Sequence, residues 1–143
     1  MISVNILPVY IINDNISMEP KKMNKKKKAL IVEDEAIIRL NLKLILTQLN
    51  CVTVGETSKG EEAVDLARQK KPDFIFMDIK LQGMIDGIET AKRICDFLNV
   101  PIIFMSTYSI KEKENLLNFK NDIFFLVKPI QKEQIADAIK SLG

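Results

Sequence analysis

From residue 29 onward, short apolar runs alternate with longer stretches in which apolar positions recur every three or four residues. The runs fall at 29–32, 52–55, 74–77, 102–105 and 123–127. Several are nearly unbroken, as suits strands buried on both faces of a parallel sheet. Helices are predicted between them at about 36–49, 59–70, 87–98 and 110–119, with a last one at about 131–142. In the first, Ile37, Leu40, Leu44 and Ile45 are expected to share the apolar face, with Arg39 and Lys43 away from it. Gly60, Pro72 and Pro101 punctuate the pattern, and Thr57 or Ser58 stands where a cap for the second helix is wanted. Five such repeats predict an α/β fold, a three-layer (βα)5 sandwich with a five-stranded parallel sheet between helices. On that architecture ligands bind beyond the carboxyl ends of the strands, where the strand order reverses.

Residues 1–28 follow a different pattern. The apolar stretch Ile2–Ile12 is interrupted by Asn5 and Pro8, and the lysines come after it rather than before. That order does not make a secretory signal, and the stretch is too short to span a bilayer. Six lysines against Asp14 and Glu19 leave this segment at +4, whereas residues 29–143 carry fifteen basic and seventeen acidic residues. The expected division is a flexible, lysine-rich extension at 1–28 and a folded domain at 29–143. A solvated linker is the plain reading of Lys21–Lys28, with weak attraction to nucleic acid or an anionic membrane as the alternative. The folded part is mildly acidic, so no direct DNA binding is expected, and with no membrane span the cytoplasm is the default location.

Residue types narrow the chemistry further. The chain has no histidine, which excludes histidine-based zinc sites, serine–histidine–aspartate triads and a phosphohistidine of its own. Cys51 and Cys95 have no metal-ligand spacing and lie in apolar patterns, so buried free thiols are expected. Carboxylates, hydroxyls, lysines and backbone groups remain.

These stand at the predicted strand ends. The first strand runs into Glu33-Asp34-Glu35, the third ends at Asp78, the fourth at Ser106, and the fifth enters Lys128-Pro129. Parallel strands gather all of them at one rim. Such a set can hold a divalent cation through hard oxygen ligands and a phosphoryl group through the lysine.

The motifs that carry these residues are Ala-Leu-Ile-Val-Glu-Asp-Glu at 29–35, Pro-Asp-Phe-Ile-Phe-Met-Asp-Ile at 72–79 and Asp-Gly-Ile-Glu at 86–89. Pro-Ile-Ile-Phe-Met-Ser-Thr-Tyr at 101–108 and Phe-Leu-Val-Lys-Pro at 125–129 complete them. In order and spacing the chain resembles the receiver domains of two-component response regulators over roughly 28–142. The resemblance implies a flavodoxin-like sheet of strand order 2-1-3-4-5. It implies that Asp78 accepts a phosphoryl group from a partner sensor histidine kinase. Asp34 and Asp78 would ligate Mg²⁺ or Mn²⁺ together with the backbone carbonyl of Lys80, with Glu33 acting through a metal-bound water. Lys128 and Ser106 would contact the phosphoryl group, Thr107 would stand beside it, Phe125 would change rotamer on activation, and the bond before Pro129 would be cis.

The loop from Asp78 to Gly87 is one residue longer than in many receivers, and Thr107 replaces a frequent alanine. Glu35, the last of the acidic trio, reads as facing solvent. Met77, Met84 and Met105 read as core or loop filler, and Phe125 also suits core packing. Because the sequence stops at Gly143, just past the last helix, output is expected through a protein contact or onward transfer to a histidine phosphotransfer domain. Enzymatic activity is expected only as the chain's own phosphorylation and autodephosphorylation. A phosphorylation-independent binding module is the rival class. A hydrolase of the related phosphatase superfamily would need an aspartate where Lys80 stands.

Overall fold

The computed structural model describes residues 10–12, 15–17, 25–107 and 118–142. Two short strands, β1 (Tyr10–Ile12) and β2 (Asn15–Ser17), pair antiparallel with Tyr10 opposite Ser17. The domain proper starts at β3 (Lys27–Val32) and continues through α1 (Ala36–Gln48), β4 (Cys51–Thr57), α2 (Gly60–Lys70) and β5 (Phe74–Asp78). It ends with α3 (Gly87–Cys95), β6 (Ile102–Ser106), β7 (Ile123–Val127) and α4 (Lys132–Ser141). The predicted helix at 110–119 falls largely on 108–117, outside the described residues.

The five long strands form one parallel sheet in the order β4-β3-β5-β6-β7. Counted from β3, this is the expected 2-1-3-4-5. The strand begins two residues before the apolar run does, because Lys27 and Lys28 already pair with Cys51 and Val52.

Alternation along each strand builds two cores from one sheet, since neighbouring side chains point to opposite faces. Leu30, Val32, Ile75, Met77, Ile102 and Phe104 meet α2 and α3 through Ala63, Ala67, Ala91 and Ile94. Ala29, Ile31, Phe74, Phe76, Ile103 and Met105 meet α1 and α4 through Leu42, Leu46, Ile135 and Ala138. Both sets are buried, which explains the unbroken apolar runs.

Helix α1 corrects the sequence reading. It packs through Leu42, Ile45 and Leu46, whereas Ile37, Leu40 and Leu44 are 69%, 48% and 57% exposed. The helix carries two apolar stripes, and periodicity alone does not say which one meets the sheet. The α2 cap also differs. Lys59 occupies the cap position without a side-chain bond. Thr57, still in β4, accepts the Lys59 N–H at 3.1 Å and donates to Glu62 at 2.8 Å.

Between β6 and β7, Asn121 secures the entry to the last strand by donating to the carbonyls of Leu98 and Val100 at 3.3 and 2.8 Å. The β1–β2 pair forms its own sheet and adds no strand to the larger one. Deleting residues 1–24 is therefore expected to shift the thermal midpoint by less than roughly 2 °C, equivalent to under about 0.5 kcal/mol. A calorimetric drop above roughly 5 °C would instead place this segment against the domain.

Candidate functional site

The carboxyl ends of β3, β5, β6 and β7 converge as the topology requires. Asp78 pairs in register with Met105, and Ser106 with Val127. Glu33, Asp78 and Ser106 are all buried at these strand ends. Lys128, just past β7, reaches between the two carboxylates. Its Nζ lies 2.8 Å from Glu33 Oε2 and 3.2 Å from Asp78 Oδ2. The Lys128 N–H donates to the Ser106 carbonyl at 2.8 Å, and the Lys128–Pro129 peptide is cis.

The β5–α3 loop holds Asp78 from the other side. The Lys80 N–H donates to Asp78 Oδ1 at 3.1 Å, so each Asp78 oxygen has a donor. The Gly87 N–H donates to the Ile79 carbonyl at 2.8 Å. A Cβ on Gly87 would lie 2.0 Å from the Asp78 carbonyl oxygen, so only glycine lets α3 start this close to the strand end. Asp86 caps that helix by accepting the Glu89 N–H at 2.8 Å.

Glu33, Asp34 and Glu35 form an acidic turn after β3, with one carboxylate oxygen of each lying within 4.8 Å of the others. Burial pushes the Glu33 carboxyl up to about 7, and the neighbouring Asp78 charge adds to this against the opposing pull of Lys128. Burial alone would lower Lys128, but Glu33 and Asp78 outweigh it and the ammonium is held above its ordinary range. The ammonium faces Glu33 Oε2 outside good hydrogen-bond alignment, and this buried oxygen accepts no hydrogen bond among the described residues. Three carboxylate oxygens this close together, one of them on buried Glu33, fit a hard divalent cation such as Mg²⁺ or Mn²⁺.

Other expected site residues are placed less tightly. Thr107 is exposed and lines a cleft of about 350 Å³ with Glu35, Ile38, Asn41 and Pro129. Phe125 is half-buried on β7, opposite Phe104, and packs on the α2–α3 side of the core. Lys80 is exposed. Met84 is 93% exposed at the loop tip, so it fills nothing, while Met77 and Met105 are core. Glu35 is exposed, yet its carboxylate joins the acidic turn. Both thiols are free, and burial raises their pKa values. A larger cleft of about 700 Å³ lies at the opposite edge, lined by Lys25–Lys28, Asp73, Pro101 and Leu142, and shares no residue with this rim.

Two contributors carry no sequence signal of their own chemistry. Gly87 sits within a quoted motif, but only the close approach to Asp78 gives the reason. Arg39 reads as an outward helix residue. Its Nη1 instead donates to the carbonyls of Glu33 and Asp34 at 2.7 and 3.2 Å.

The response regulator receiver domain family matches residues 29–140. The chain belongs to that family. It is 34% identical over 114 residues to the transcriptional regulatory protein PdtaR of Mycobacterium tuberculosis, covering 80% of this chain and 55% of PdtaR. It is also 34% identical over 120 residues to the chemotaxis protein CheY of Thermotoga maritima, covering 82% and 98% respectively. The chain thus spans about half the length of the transcriptional relatives but nearly all of that CheY. Among solved structures, the signal receiver domain of a modulated diguanylate cyclase from Desulfovibrio desulfuricans superposes with a TM-score of 0.74 at 31% identity. That match covers 82% of this chain and 93% of the other. The CheX–CheY–BeF3–Mg complex of Borrelia burgdorferi gives a TM-score of 0.72 at 25% identity, covering 81% and 88%. This domain is therefore a receiver of the two-component signalling type. Among the described residues no helix is long and apolar enough to cross a membrane.

The raised Glu33 carboxyl has a pH consequence. The folded receiver binds that proton more tightly than the unfolded chain, whose carboxyl titrates near 4.5. Its stabilising contribution is full below pH 4.5 and is lost as pH rises through about 7. In urea titrations with chelator present, the stability of the wild type relative to Glu33→Gln is expected to fall across that window. A pH-independent difference would exclude this role for the buried carboxyl.

Proposed function

We propose that this receiver is a phosphorylation-activated switch that takes a phosphoryl group onto Asp78 from a phosphohistidine of a sensor histidine kinase. The observation that carries the reading is the Lys128 ammonium, on a side chain only 12% exposed, bridging Glu33 and Asp78. An ammonium in this place can pair with phosphoryl oxygens and offset the charge of a buried carboxylate nucleophile. In the transfer, an Asp78 oxygen forms a bond to phosphorus as the bond to the imidazole nitrogen breaks. The imidazole leaves with that electron pair and takes up a proton.

Asp34 and Asp78 would hold the divalent cation together with the Lys80 carbonyl, with Glu33 acting through a metal-bound water. A bound cation supplies charge neutralisation at the phosphoryl oxygens. The likeness to a CheY found in complex with BeF3 and Mg supports this choice of ion.

The acyl phosphate adds charge and acceptor oxygens next to Ser106 and Lys128. Ser106 turns toward them, and Phe125, half-buried on the edge strand, changes its packing, so the β7–α4 face alters its partner preference. Output then runs through a protein contact or onward phosphotransfer. The exposed stripe Ile37, Leu40 and Leu44 on α1 offers the kinase an apolar face next to the rim. Residues 1–24 serve as an extension outside the switch.

Acetyl phosphate with Mg²⁺ is expected to add one phosphoryl mass to the wild type and none to Asp78→Asn in intact-protein spectra. Equal labelling of both would remove Asp78 from the reaction. The lifetime depends on how freely a water approaches in line, and Thr107 stands exposed beside Ser106. Thr107→Ala is expected to speed decay of the phosphorylated protein roughly two- to ten-fold, or about 0.4–1.4 kcal/mol of barrier. Equal or slower decay after donor removal would show that Thr107 does not gate the water.

A further inference from the structure

Arg39 stands in the first turn of α1, where a cation is opposed by the helix dipole. That turn has no acidic residue, and its N-cap Glu35 makes no side-chain capping bond. Helix stability therefore gives no reason for an arginine here. The side chain instead folds back toward the helix start, as long helical side chains do. One terminal nitrogen donates to two successive carbonyls, those of Glu33 at 2.7 Å and Asp34 at 3.2 Å. From β4, Glu56 faces the guanidinium with Oε1 at 3.7 Å from Nε, and Lys43 pairs with the other Glu56 oxygen at 2.6 Å. The Arg39 side chain is only 20% exposed, so water competes weakly for these bonds.

The two carbonyls belong to the peptide groups on either side of the Asp34 Cα. Each peptide group is planar, so fixing both fixes the backbone angles at Asp34 and with them the direction of its Cβ. Among the described residues no partner holds the Asp34 side chain itself, although the Glu35 N–H of the second peptide group also donates to Glu33 Oε1. The Asp34 carboxylate makes no hydrogen bond or ion pair among the described residues. Glu33, by contrast, is held directly by Lys128 and by the Glu35 N–H at 3.2 Å.

We infer that Arg39 is the positioning residue for Asp34: by clamping the Glu33 and Asp34 carbonyls it aims the Asp34 carboxylate into the rim and so sets the affinity for the divalent cation. The inference rests on the proposed cation site. It names a residue that touches neither the ion nor the phosphoryl group.

The test exploits a conflict of signs. As a nearby positive charge, Arg39 repels a dication, so electrostatics alone predicts tighter binding when it is removed. The clamp predicts weaker binding. Free Mn²⁺ is followed by electron paramagnetic resonance during titration of the full chain, for wild type, Arg39→Met, Arg39→Lys and Asp34→Asn. Arg39→Met is expected to weaken Mn²⁺ binding roughly ten-fold. Arg39→Lys, whose ammonium can reach the same carbonyls, should recover most of that loss. Repulsion alone gives the reverse order, with Arg39→Met tightest. A purely structural Arg39 lowers the unfolding midpoint and leaves all three affinities equal.

Either of those outcomes overturns the inference. If Arg39→Met does not fold, Arg39→Gln keeps one donor but loses the charge, and must still weaken binding by at least about two-fold. An unchanged or tighter affinity in that variant rejects the clamp. Asp34→Asn separates this result from the reading beneath it. If that variant also binds Mn²⁺ as the wild type does, the cation site is what fails.

Discussion

Two buried carboxylates and one ammonium at the end of the sheet are the constraint on which this domain turns. Glu33 and Asp78 lie in low-dielectric surroundings where a lone charge is strongly disfavoured. The ammonium of Lys128, 2.8 and 3.2 Å from them, keeps the arrangement tolerable without cancelling it. The two carboxylates share one ammonium, and burial, with the Asp78 charge adding to it, pushes the Glu33 carboxyl up to about 7. A site poised in that way has a standing affinity for a proton or a cation. Removing the lysine would leave two buried carboxylates without their shared ammonium.

Much of the fold is organised to keep these groups in place. The partners come from three strands, and their spacing depends on parallel registers such as Asp78 opposite Met105 and Ser106 opposite Val127. Two cores, one on each face, hold the strands rigidly enough for the rim to stay fixed. The short approach at Gly87 docks the start of α3 against the carbonyl of Asp78 itself. A side chain there would push directly on the site, so the glycine belongs to the chemistry through geometry alone.

The surfaces away from the rim divide differently. The acidic rim and the lysine-lined cleft occupy opposite edges of the sheet, so the net charge of +2 conceals a polar arrangement. The likeness to CheY covers almost the whole of that protein, while the transcriptional relatives extend well beyond the matched region. Family membership therefore gives the receiver module, and the exposed apolar stripe on α1 lies outside its rim chemistry.

The apolar runs at 74–77 and 102–105 were enough to place β5 and β6, because a strand buried on both faces has no polar positions to blur its limits, and the run at 123–127 placed β7 although that edge strand is only half-buried. The carboxylates, hydroxyl and lysine at the strand ends were legible for the same reason, being polar residues that end apolar runs. The tertiary structure decided what periodicity leaves degenerate. On α1 two apolar stripes compete, and packing on the sheet buried Leu42, Ile45 and Leu46 while leaving Ile37, Leu40 and Leu44 in water. It also decided the duties of Arg39 and Gly87, which are relations to backbone atoms of other segments and leave no trace in residue type. Local chemistry is written along the chain, but the distance between two backbones exists only once the sheet has closed.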